Sequence, residues 1–108
     1  MSTASETSVL DTIAAMTVDS LERCGLAPDM LLLTRIAALA ASDAPPISYA
    51  AHIDPALQAG LTAEQLQDVL VAIAPIVGTA RVMTAAGNIA TALGIAIAVA
   101  EAEIETRG

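Results

Sequence analysis

The run Thr62-Ala63-Glu64-Gln65-Leu66-Gln67-Asp68-Val69-Leu70-Val71-Ala72-Ile73-Ala74-Pro75-Ile76-Val77-Gly78 sets the fold class. Thr62 followed by Gln65 is a capping box, in which each side chain satisfies a backbone N–H at the other's position. Leu66, Val69, Leu70, Ile73 and Val77 then fall on one face, with Glu64, Gln67 and Asp68 on the other. Steps of three and four residues are the period of an amphipathic helix, not of a strand. Pro75 is expected to bend the last turn and Gly78 to end it.

Working outward, the same period recurs on both sides. Ile47 to Ala59 reads as a helix ending at Gly60. Pro55 lies inside it, and either kinks it or opens a new turn capped by Asp54. Pro28 to Ser42 is a further helix, with Pro28 and Asp29 as first-turn residues and Leu31, Leu32, Leu33, Ile36 and Leu39 as its apolar residues. Asp43-Ala44-Pro45-Pro46 breaks it, because each proline disfavours helix in the residue before it. Leu10, Ile13, Ala14, Thr17, Leu21 and Cys24 form the stripe of a first helix, stopped by Gly25. The last helix, Thr79 to about Glu105, has Arg81 and Asn88 as its clearly polar interior groups and is otherwise apolar all round, the pattern of a buried helix. No alternation with a period of two survives over a useful length. The expectation is an all-α domain of about five helices: residues 1–7 as a disordered polar tail, and residues 8–108 as one domain.

Composition limits what such a domain can be. Of the 108 residues 56% are hydrophobic and 15% charged, against roughly 45–50% and 25% in ordinary soluble domains. A chain of this size hides roughly 60–70% of its unfolded surface, so the apolar surplus points to burial against copies of itself, an obligate homo-oligomer. The apolar run Ile89 to Ala100 is short against the roughly 20 residues that span a bilayer. Met1 to Glu6 has neither a basic nor an apolar region, so no signal peptide is read there. The expected setting is the cytoplasm, with no membrane partner. The net charge is -8, and the four basic residues Arg23, Arg35, Arg81 and Arg107 are scattered, which argues against nucleic acid. The single cysteine, Cys24, makes neither an intrachain disulfide nor a cysteine-rich zinc site.

The segment Leu32-Leu33-Thr34-Arg35-Ile36-Ala37-Ala38-Leu39-Ala40 resembles the opening of a carboxymuconolactone decarboxylase domain. Ser48-Tyr49-Ala50-Ala51-His52, then Ala56 and Gly60 before Leu61-Thr62-Ala63-Glu64-Gln65, is similar to the family's central signature, and Gly78 matches a later glycine. The resemblance covers roughly Leu31 to Leu93. It implies the alkylhydroperoxidase D-like fold, assembled as a trimer or hexamer. It also implies one of two chemistries: cofactor-free decarboxylation of a carboxylated muconolactone, or peroxide reduction by a C-x-x-C pair. The pair's positions fall here on Pro45 and Ser48, and the redox branch's proton-relay glutamate falls near Leu33. A thiol relay needs a thiolate and a resolving partner, so thiol peroxidase chemistry is not expected, nor any cofactor.

His52 is the side chain whose ordinary pKa lies near neutrality, and so the candidate acid or base. Ser48 and Tyr49 stand four and three residues before it and are expected on its face of the helix. Arg35 and Arg81 are candidates for holding an acidic substrate, with Asn88 beside them. Each has a plainer reading. His52 can be a structural hydrogen-bonder, Tyr49 a core filler and Ser48 a helix cap. Arg35 and Arg81 can pair with acids across a subunit interface, and Asn88 can fix helix register. One histidine among scattered acids gives no helical metal-ligand pair, so no metal is expected. Beside a purely structural oligomer, which would have no pocket, two functions therefore stay open. One is a cofactor-free lyase or isomerase acting on a small carboxylated or lactone substrate through His52. The other is a non-catalytic oligomeric module that binds an apolar small molecule or a protein partner.

Overall fold

The computed structural model describes the backbone of residues 2–107 and the side-chain surroundings of residues 7–98 and 101–102. Among these residues there are five helices and no strand: α1 (Ser2–Arg23), α2 (Pro28–Ala41), α3 (Pro46–Gln58), α4 (Ala63–Val77) and α5 (Thr79–Arg107). Helix α1 begins at Ser2, inside the stretch expected as a polar tail. Met1 and the side chains of residues 2–6 lie outside the described residues.

The connections follow local chemistry. Helix α2 ends with Asp43 in the left-handed region at φ 55, where Asp43 N–H donates to Ala40 O and Ala44 N–H to Leu39 O. Gly60, at φ 92, ends α3 in the same way through Gly60 N–H to Leu57 O and Leu61 N–H to Ala56 O. Both are Schellman endings, which consume carbonyls the helix leaves without partners. The capping box of α4 forms as expected: Thr62 Oγ1 accepts from Gln65 N–H at 3.1 Å, and Thr62 N–H donates to Gln65 Oε1 at 2.9 Å. Pro55 neither splits α3 nor ends it, for the helix runs on to Gln58.

Helices α2, α3, α5 and α4 pack as a ring of neighbours, with α2 also touching α5 across the middle. Its core holds Ile36 and Ala40 from α2, Tyr49, Ile53 and Ala56 from α3, Leu66 and Leu70 from α4, and Ala85, Ile89 and Ala92 from α5. Small side chains at Ala40, Ala56, Ala85 and Ala92 let the helices approach closely, and Tyr49 is the one aromatic side chain available to fill the remaining space. The segment Thr79–Ala98 of α5 is long and apolar enough to cross a membrane by length and composition. It extends further toward the N-terminus than the sequence run Ile89 to Ala100, since Arg81 interrupts its hydropathy only once. Within this chain α5 buries one face, and Met83, Ile95 and Ile97 stay exposed.

Helix α1 behaves differently. Among the described residues, none of its Cα atoms comes within 8 Å of a Cα in another helix. Of its stripe, Leu10, Ile13, Ala14, Thr17 and Leu21 are exposed and Cys24 is half-buried, and Val9 and Met16 are exposed as well. The helix is therefore a separate wall beside the bundle, not a fifth core member.

Leu66 is 0% exposed at the centre of the bundle. Leu66→Ala is expected to cost about 2–5 kcal/mol of stability. Thr62→Ala, which removes only the cap of α4, should cost about 1 kcal/mol. Urea unfolding followed by circular dichroism gives both values, and a smaller loss for Leu66→Ala than for Thr62→Ala would contradict this core.

Candidate functional site

The gap between α1 and the bundle is a cavity of about 770 Å³. Helix α1 supplies Leu10, Ile13, Thr17 and Leu21; the α1–α2 connection and α2 supply Leu26, Pro28, Leu31, Leu32 and Arg35; α3 supplies Ile47, Ser48, Ala51, His52 and Pro55. The wall is apolar apart from Thr17, Arg35, Ser48 and His52.

Of the residues expected at a site, Arg35, Ser48 and His52 come together on this cavity. Tyr49 does not. It is 1% exposed and belongs to the bundle core with Ile53 and Ala56. The reason is angular: neighbours on a helix point about 100° apart, so Ser48 and Tyr49 cannot face the same way. Burial raises the Tyr49 phenol above its ordinary 10.0, and the carboxylate of Asp43 adds to the rise. Arg81 is also elsewhere. It donates from Nη1 to Ala41 O at 2.6 Å, closing the C-terminal end of α2, where a cation also complements the helix dipole. Asn88 is half-buried on α5, away from the cavity wall.

His52 is half-buried, and its Nδ1 lies 2.7 Å from Ser48 O. A carbonyl oxygen can only accept, so Nδ1 carries the proton in this bond. In the neutral ring Nε2 then holds the lone pair, which makes it the nitrogen able to take a proton in the cavity. Pro55 adds a second feature. Having no N–H, it leaves Ala51 O without its usual helical donor, and both residues stand in the cavity wall.

Arg35 supplies the charge. Its Nη2 donates to Ser20 Oγ on α1 at 3.0 Å, the one side-chain hydrogen bond that crosses from α1 to the bundle among the described residues. No carboxylate pairs with Arg35 among the described residues, where the ion pair found is Arg23 with Asp19. A guanidinium has five N–H donors, so most remain free beside an apolar wall. Nor do three of His, Cys, Asp and Glu gather anywhere among the described residues. The sequence reading did not find α1 or Ile47 as part of this site. The stripe of α1 marks a covered face but does not say what lies opposite it. Pro55 was legible as an irregularity but not as part of the cavity wall.

The described residues thus form an α-helical bundle with an apolar side cavity, lined by one histidine and by an arginine that has no acid partner among them. The chain belongs to the carboxymuconolactone decarboxylase family, which it matches over residues 8–92 of 108. Neither a curated protein nor a solved structure matches it.

Because the folded Tyr49 pKa is raised, the neutral phenol is favoured by folding. That stability is present below the unfolded value near 10 and is lost as pH rises through the folded one. The chain has one tyrosine and no tryptophan, so tyrosinate absorbance reports this group alone. The titration is expected to have its midpoint above 10.0, with alkaline unfolding following it. Tyr49→Phe should remove that alkaline loss of stability. A midpoint at or below the ordinary value would contradict the burial of the phenol.

Proposed function

We propose that this protein is a cofactor-free lyase or isomerase acting on a small carboxylated or lactone-type molecule. The observation that carries this reading is the meeting of His52, Ser48 and Arg35 in one cavity with apolar walls. His52 Nε2 takes or returns a proton at carbon while Nδ1–H stays on Ser48 O, so the ring does not turn between the two steps. Arg35 holds a carboxylate that the product retains, or the oxygen on which enolate charge develops. It is poorly suited to gripping a carboxylate that leaves as carbon dioxide. Binding that group's full charge would stabilise the ground state more than the transition state. Ser48 Oγ and Ala51 O provide a further donor and acceptor for a lactone or hydroxyl. Membership of the family adds weight to a lyase, and a chain with one cysteine has no thiol pair for the redox alternative.

The working form in this proposal is a homo-oligomer, a trimer or hexamer, in the cytoplasm. Ile76, Val71, Ile47 and Met83 are 89%, 71%, 74% and 67% exposed on the single chain, more apolar surface than a monomer usually leaves open. Light scattering should then give three or six times the 10.9 kDa chain mass.

Carboxymuconolactone turnover, followed spectrophotometrically, tests the catalytic reading directly. His52→Gln is expected to lower kcat by roughly 10²–10⁴-fold, the usual contribution of a general acid or base. Its oligomer mass and circular dichroism should be unchanged. If the wild-type protein turns over neither carboxymuconolactone nor related lactone acids, the alternative of a non-catalytic binding module takes its place.

A further inference from the structure

We propose that the ligand of this cavity is an amphiphilic monocarboxylate, with its carboxylate on Arg35 and a hydrocarbon portion lying along α1. The inference deepens the catalytic reading by naming the kind of substrate, and rests on the same cavity. Three observations bear on it. First, Arg35 has no acid partner among the described residues and spends one N–H on Ser20. A cation beside apolar walls is costly until an anion joins it, and a guanidinium matches a carboxylate with two parallel hydrogen bonds. Second, the Arg35–Ser20 bond ties Arg35 to α1 beside the lining residue Leu21, and from there the α1 wall runs back through Thr17 and Ile13 to Leu10. Ten residues of helix between Ser20 and Leu10 span about 15 Å. Apart from Thr17 this stretch of wall offers the ligand only carbon. Third, a volume of about 770 Å³ is far more than a carboxylate alone occupies and lies within the roughly 300–1,000 Å³ of small-molecule sites. A small polyacid would leave most of this wall wet and have one cation for its several charges. A hydrocarbon acid satisfies both.

The assembled protein is tested by calorimetric binding of butyrate, hexanoate, octanoate and decanoate, each below its micelle concentration. Decanol and decylamine are the head-group controls. Each added CH₂ is expected to tighten binding by about three- to four-fold, and decanoate should bind well above both controls. Arg35→Ala should weaken the acids by roughly 10- to 100-fold and bring decanoate down to decanol, while Arg35→Lys recovers part of the difference. Ile13→Asp is a second variant, on a helix outside the core, so the fold does not depend on it. It should cost decanoate far more than butyrate. A flat chain-length series alongside genuine turnover of short lactone acids overturns this inference and leaves the catalytic reading standing. Steep, Arg35-dependent binding with no turnover of any acid does the reverse. Loss of the oligomer in Arg35→Ala, with no acid bound by the wild type, overturns the inference and assigns Arg35 to a contact between copies.

Discussion

Helix α2 must serve two surfaces at once, and the molecule's layout follows from that. Ile36 and Ala40 enter the bundle, while Leu32 and Arg35 face the cavity. Adjacent positions on a helix differ by about 100°, so Arg35 is turned out of the core by the burial of Ile36 beside it. The same rule acts on α3, where Tyr49 and Ile53 are locked inside and Ser48 and His52 are thereby presented outward. With alanines lining much of the core, these large side chains are the ones that fix how each helix is rotated. The site is a by-product of that rotation, which is why it needs no special loop to hold it.

Features that depend on neighbouring residues were readable from the chain. The capping box of Thr62 and Gln65, the buried face of α4 and the break at Asp43 to Pro46 each arise within one or two turns of backbone. His52, singled out in the sequence, lines the cavity. Tyr49 misled because positions three and four residues before a histidine count as one face in a sequence pattern, yet a core and a cavity divide that face between them. Arg81 looked like a free cation in an apolar run. Its partner, Ala41 O, lies 40 residues away on a helix end that sequence does not show to be adjacent. The stripe of α1 signalled an apolar surface to be covered. Periodicity carries no information on whether the cover is the bundle, a ligand or another copy.

Among the described residues, the Arg35–Ser20 hydrogen bond is the one side-chain hydrogen bond by which α1 reaches the bundle. The bond from the half-buried Arg35 to the neutral Ser20 hydroxyl contributes only about 1–2 kcal/mol. Filling the gap between α1 and the bundle with hydrocarbon would bury Leu10, Ile13 and Leu21 together with Leu31 and Leu32. At about 25 cal/mol per Å² of apolar surface removed from water, this outweighs the single hydrogen bond after a few tens of Å². Hydrocarbon bound there would therefore do more to hold α1 than that bond does.

Pro45 and Ser48 stand where the family resemblance would put a redox pair, and together Pro45 and Pro46 start α3 with fixed backbone angles. Ser48 contributes through its carbonyl, which holds the Nδ1–H of His52 and leaves Nε2 as the reactive nitrogen. In a thiol relay a histidine beside the pair would serve to ionise sulfur, and its orientation would be tied to that partner. Here the ring is oriented by its own helix. A histidine fixed by backbone has no need of a neighbouring nucleophile to be useful, because a proton can pass between it and a substrate carbon with no electrons to store.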